Sequence, residues 1–185
     1  MLEDKKIIPY KVKKGNRPKI EEVISSCLDG DLRSTALDFA AFMRENKMPL
    51  KLYTSTTRSQ RAIYKGRLIC HVIVFAENDW DKVGNHNLGD PQYWNLSIIL
   101  DETEKYKEII ESENLSDIQW NEVFYCGCKD KSHCINPGVD RTALNEKFKN
   151  LCCWRGPYVR NPNEANIMKV KRLLKLEQKA RDGLM

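Results

Sequence analysis

The chain has 185 residues, of which 41% are hydrophobic and 31% charged, and it carries a formal net charge of +5. That length suits one domain, and the composition is too apolar for a disordered chain. The longest apolar run, Leu68 to Ala76, contains His71 and falls short of the roughly 18 residues needed to cross a bilayer, so no membrane partner is expected.

The charge is unevenly placed. Residues 1–20 hold seven Lys/Arg against two Asp/Glu, whereas residues 101–122 hold two Lys against eight Asp/Glu. Residues 1–16, interrupted by Pro9 and Gly15, read as a flexible basic tail, and residues 17–185 as a single domain. The first residues lack the apolar core of a signal peptide, which predicts a cytoplasmic protein.

Pro18 fits the first turn of a short helix running to Leu28, and Asp29-Gly30-Asp31 breaks it. Ser34 is placed to cap a second helix running to about Asn46, with Leu37, Ala40, Ala41 and Arg44 at helical spacing and Phe39, Phe42 and Met43 widening its apolar face. Lys47-Met48-Pro49 ends it. Strand patterns follow at 50–54, 61–64 and 67–75, the last two joined by a Lys65-Gly66 turn. Both faces of the third strand are apolar, which predicts a strand covered on both sides.

Residues 77–91 are rich in Asn, Asp and Gly and read as a loop. Residues 93–100 read as a strand and 101–113 as a helix with Tyr106, Ile109 and Ile110 as its stripe. The carboxylates of 101–122 read as a solvated face. Residues 115–125 fit helix or strand equally. After a loop at 126–140, residues 142–144 and 147–152 form a hairpin about Asn145-Glu146. The last helix, 161–181, has Asn161 as its cap, Pro162 in its first position and Glu164 three residues on. Ile167, Val170, Leu173 and Leu174 form its buried stripe, flanked by Lys169, Lys171, Arg172, Lys175 and Lys179.

Seven cysteines cannot all pair internally. Cys27 and Cys70 lie in apolar patterns and read as small core hydrophobes. The rest cluster: Cys126-Gly127-Cys128, Cys134 and Cys152-Cys153. Zinc takes four thiolate or imidazole ligands in a tetrahedron. Gly127 allows a tight bend between two thiolates, and a hairpin can return a fourth. The candidate ligands are Cys126, Cys128, Cys134 and Cys152 or Cys153, with His133 as a substitute. The spacing lacks the paired two-residue pattern of strong zinc sites, so free thiols, a redox pair and an iron–sulfur cluster stay open. A structural zinc would fasten residues 126–160, which have few large aliphatics, to the last helix.

Arg58, Arg61, Tyr64, Lys65 and Arg67 gather about the predicted hairpin. Basic residues around an aromatic suit contact with nucleic acid or another acidic partner, although charges also guard ordinary sheet edges. Cys70 and His71 are adjacent and on a strand face opposite ways, so they form no nucleophile–base pair. His86 lies in a polar loop. No phosphate-binding glycine loop, metalloprotease helix or serine elbow is present.

Residues 126–175 resemble the C-terminal half of an uncharacterised domain family of clostridia and related bacteria. The resemblance rests on Pro137-Gly138, Arg141-Thr142, Lys147-Phe148-Lys149-Asn150-Leu151-Cys152 and Asn161-Pro162-Asn163-Glu164-Ala165. Residues 36–46 resemble that family's first helix, and Tyr64-Lys65-Gly66 with Cys70 its hairpin. Leu144-Asn145 departs from it. The resemblance implies a shared fold over residues 34–178, favours Cys152 over Cys153, and carries no activity.

The fold class expected is α+β: an antiparallel sheet of three to five strands with helices on one face, and a cysteine-rich C-terminal lobe ending in a long amphipathic helix. The expected function is a non-enzymatic binding or regulatory protein with structural zinc, whose partner is a protein or a nucleic acid. The alternative is a small-molecule-binding domain or an enzyme, with a pocket between helices and sheet lined by Trp80, Trp94 or His71.

Overall fold

Apolar residues at 20, 23, 24 and 27 recur at the helical period and form the buried stripe of helix α1 (Ile20–Cys27). The computed structural model describes residues 17–52, 58–75, 92–118, 120, 122–123, 138–144, 146–151 and 157–185. Lys19, not Pro18, holds the cap position of α1, so the proline lies just outside the helix. Helix α2 (Gly30–Glu45) starts ahead of Ser34. The Ser34 hydroxyl donates to the Asp31 carbonyl instead of capping, the usual fate of a serine inside a helix. Lys47 takes a positive φ of 60°, and the Met48 N–H closes onto the Met43 carbonyl; Pro49 then prevents continuation.

Six antiparallel strands form the main sheet, in the order β1-β2-β3-β4-β8-β5. They are β1 (Lys51–Leu52), β2 (Ser59–Tyr64), β3 (Arg67–Phe75), β4 (Tyr93–Ile98), β5 (Glu122–Val123) and β8 (Pro157–Arg160). β1 falls within the strand expected at 50–54, and the sheet is wider than expected because β5 has two residues and β8 four, too short to show a pattern in sequence. The Lys65-Gly66 turn forms as expected. Both residues have positive φ, 47° and 78°, which matches the twist of the flanking strands. A second hairpin, β6 (Val139–Ala143) with β7 (Glu146–Leu151), stands as its own two-stranded sheet.

Between β4 and β5, a 3-10 turn (Thr103–Tyr106) leads into α3 (Lys107–Ser112), with Tyr106 and Ile110 buried. The last helix is α4 (Glu164–Asp182), and its cap is Asn163, whose side chain accepts from the Asn166 N–H. Asn161 has another role. Its N–H donates to the Trp94 carbonyl and its side-chain oxygen accepts from the Trp94 N–H, which carries the β4–β8 ladder one residue further. Its φ of 44° is one that asparagine tolerates better than most residues.

The four helices among the described residues contribute to one apolar layer on one face of the sheet. Ala62, Cys70, Val72, Val74, Trp94, Leu96, Ile98 and Val159 meet Val23, Ile24, Phe39, Met43, Ile110, Ile167, Val170, Leu173 and Leu174. Phe39 and Trp94 pack at 6.0 Å between ring centroids. Each fully buried large aliphatic contributes about 1.5–3 kcal/mol by transfer alone, so this layer dominates stability. Cys27 and Cys70 are buried free thiols, and burial raises the Cys70 pKa far above its ordinary value. No helix among the described residues is long and apolar enough to cross a membrane.

The C-terminal turns of α4 carry a buried ion pair that the sequence reading passed over. Glu177 is fully buried and bonds Arg181 Nε at 2.6 Å. Its carboxylate also accepts from the Asp101 and Glu102 N–H groups and from the Tyr106 hydroxyl. The Arg181 guanidinium bonds Asp101 at 3.0 Å and reaches the carbonyls of Leu68 and Ile99. One helix end is thereby tied to β3, to the end of β4 and to the turn before α3. Burial, then the Glu177 bond, raises the Tyr106 pKa well above the usual phenol range.

Candidate functional site on the helix-free face

Strand alternation sends every second residue to the face opposite the described helices, called helix-free here because no helix among the described residues packs on it. On that face β2 presents Ser59 and Arg61, β3 presents His71, Ile73 and Phe75, β4 presents Tyr93, Asn95 and Ser97, and β8 presents Tyr158 and Arg160. Lys51 pairs with Arg61, Arg61 with His71, and His71 with Ser97. Continuing the Asn95–Arg160 and Leu96–Val159 pairings by one residue sets Ser97 beside Tyr158, and Tyr158 pairs with Glu122. A polar row therefore crosses β1 to β4 and β8. An apolar core gives no reason for such a row.

The His71 ring joins its centre. Ser59 Oγ lies 2.8 Å from His71 Nε2, and the Tyr158 hydroxyl 2.9 Å from His71 Nδ1. Tyr158 is two strands from His71, and the residue between them is Ser97, small enough for the two rings to lean together at 5.8 Å between centroids. The group is shielded from water. Tyr158 is 0% exposed, Asn95 1% and His71 7%, while Ser59 is only half-buried. Burying a polar group without a hydrogen bond costs about 1–3 kcal/mol, so the contacts of His71 and Tyr158 are needed to hold them there. Beside this row, Phe75 stacks on Tyr93 at 4.4 Å, and the Arg160 guanidinium lies 4.3 Å from the Tyr93 ring centre. The stack forms a rigid aromatic and cationic edge to the polar face.

No family model, no curated protein and no solved structure matches the chain.

The expected basic cluster is not one surface. Arg58 is buried, and Arg61 lies half-buried on the helix-free face. Tyr64 donates to the Asp182 carboxylate, and Lys65 pairs with Asp182 at 2.8 Å. Arg67 pairs with Glu102 at 2.9 Å and faces Asp101 at 3.6 Å. The acidic stretch, expected as a solvated face, thus meets the basic elements. Glu113 pairs with Arg172, and Asp117 with Lys169. Lys65 and then Tyr64 hold the Asp182 carboxyl below its ordinary pKa, Lys105 and then Arg67 do so for Glu102, and Arg172 does so for Glu113.

Trp94 and His71 lie on opposite faces. Trp94 fills the layer between sheet and helices, and His71 belongs to the polar row. They cannot line one pocket between helices and sheet. Cys126, Cys128, Cys134, Cys152 and Cys153 lie outside the described residues, as do Trp80, His86 and His133. Among the described residues, no group of three or more His, Cys, Asp or Glu side chains converges as metal ligands.

Sequence reasoning missed Ser59, Asn95, Ser97, Tyr158 and Arg160. The available signal was Tyr93-Trp94-Asn95-Leu96-Ser97-Ile98, where polar residues alternate with large apolar ones. That alternation ordinarily means a solvated face. Here all six residues are buried.

Proposed function

We propose that the protein is a small-molecule-binding domain whose site is the helix-free face of the sheet, centred on His71. The observation carrying this reading is the Ser59–His71–Tyr158 chain, buried at His71 and Tyr158, within a polar row that crosses the sheet. It combines convergent polar groups, shielding from water and an aromatic edge, the makings of a specific site for a small ligand. The hydrogen-bonding groups of this face favour a ligand with carbonyl or anionic oxygens.

A thermal-shift screen of carboxylic acids, phosphate monoesters, esters and amides tests the proposal. A ligand present at about 100 times its Kd stabilises by about 2.7 kcal/mol, a rise of roughly 5–10 °C for a domain of this size. The shift is expected to vanish in His71→Gln. A ligand that stabilises wild type and His71→Gln equally places its site elsewhere, and the proposal then fails.

The cysteine segment supports a separate proposal from sequence alone: a structural zinc on Cys126, Cys128, Cys134 and Cys152. Elemental analysis is expected to give about one zinc per chain, lost in Cys128→Ser. Metal-free, fully folded protein would retire it.

A further inference from the structure

The Ser59–His71–Tyr158 chain has the three parts of an activated nucleophile: a hydroxyl, an imidazole within hydrogen-bond reach of it, and a group that fixes the ring through its other nitrogen. Exposure falls along the chain. Ser59 is half-buried, His71 is 7% exposed, and Tyr158 is fully buried. Ser59 is thus the least buried member of the chain, while His71 and Tyr158 are held in the interior. Both imidazole nitrogens are engaged, and the tautomer sets their roles. In the tautomer whose Nδ1–H donates to the Tyr158 oxygen at 2.9 Å, Nε2 keeps its lone pair for the Ser59 hydroxyl at 2.8 Å. Arg61 sits two residues from Ser59 on the same strand face, in register with His71.

We propose that Ser59 is a nucleophile, with His71 as its general base and Tyr158 as a positioning residue, and that it acts on small carboxylic esters. This rests on the helix-free face being the binding site. Ser59 Oγ forms a bond to the acyl carbon as its proton passes to His71 Nε2. The carbon–oxygen bond to the alcohol then breaks, and His71 returns the proton to the departing alkoxide. Water, deprotonated by His71, releases the acid and restores the serine hydroxyl. No electron transfer or further reactant is involved.

The test uses the full chain and a small alkyl fluorophosphonate, which mimics the acyl centre. Serine oxygen forms a bond to phosphorus, fluoride leaves, and the proton goes to His71. Intact mass and peptide mapping are expected to show one adduct at Ser59 and none in Ser59→Ala. His71→Gln should label on the order of a hundredfold more slowly, the usual scale of general-base assistance. Nitrogen-15 NMR reports the His71 tautomer, readable because the chain has only three histidines. It is expected to show the proton on Nδ1 in wild type and a redistribution between the nitrogens in Tyr158→Phe, a change that loss of packing alone does not predict.

Absence of the Ser59 adduct in folded wild type, equal labelling of Ser59→Ala, or a wild-type proton fixed on Nε2 overturns the proposal. The tautomer is measured on wild type and so decides even where His71→Gln fails to fold. Ligand binding that depends on His71 without any Ser59 adduct removes the chemistry and leaves the binding site standing. Loss of both removes the site.

Discussion

The two faces of the main sheet are both buried at their centre, by opposite chemistry. Toward the helices, Val72, Val74, Trp94 and Leu96 are held by volume and by exclusion from water. On the other face, the intervening residues His71, Asn95 and Ser97 are polar, with Ser59 and Tyr158 bonded to the His71 ring. The first kind of burial is non-directional and tolerates swaps that keep volume. The second depends on hydrogen-bond geometry, so it should respond to single-atom changes that barely alter volume.

The buried pair at the end of α4 should give the largest response, because it combines both kinds of burial. Glu177→Ala leaves Arg181 and the Asp101 and Glu102 N–H groups without their acceptor. Removing one partner of a buried pair costs about 3–5 kcal/mol, measurable by urea unfolding. A loss under 1 kcal/mol would mean that water enters this site freely. On the apolar face, Leu173→Ala is expected to cost about 2–5 kcal/mol and to leave ligand binding intact.

Tyr158→Phe keeps the ring and removes one oxygen. The expected loss is about 1–3 kcal/mol, the range for leaving a buried polar partner unsatisfied, together with loss of binding at the helix-free face. A variant as stable as wild type and still binding would erase the distinction between the two faces. Cys70 offers a check on the apolar side. Its raised pKa keeps it a thiol, so alkylation by iodoacetamide should require unfolding.

The smallest effect belongs to the surface pairs. Asp182, Glu102 and Glu113 have lowered folded-state pKa values. Their contribution is present above the ordinary carboxylate range and is lost as the pH falls through the lowered folded-state values. Thermal midpoints should therefore decline below about pH 4, less steeply in Asp182→Asn, and salt should weaken the effect at neutral pH.

Much of the helix side was legible because periodicity reports burial directly. The stripe Ile167, Val170, Leu173 and Leu174 and the Lys65-Gly66 turn follow from local rules, and both appear in the structure. Caps were less legible. Asn161 and Asn163 both suit a helix start, and the choice between them came from β4, whose Trp94 backbone engages Asn161. The candidate site was hidden because its members come from residues 59, 71, 97 and 158, and no local pattern links Tyr158 to His71.

By itself, the sequence determined the α+β class, most of the elements and the apolar layer, since propensity, turn chemistry and hydrophobic period act over a few residues. Tertiary structure decided the place of β8 beside β4, the meeting of the acidic stretch with the basic elements, and the burial of the polar face. Those depend on pairing and charge neutralisation between distant segments. A hydroxyl, an imidazole and a phenol become one hydrogen-bonded chain only when four strands are in register.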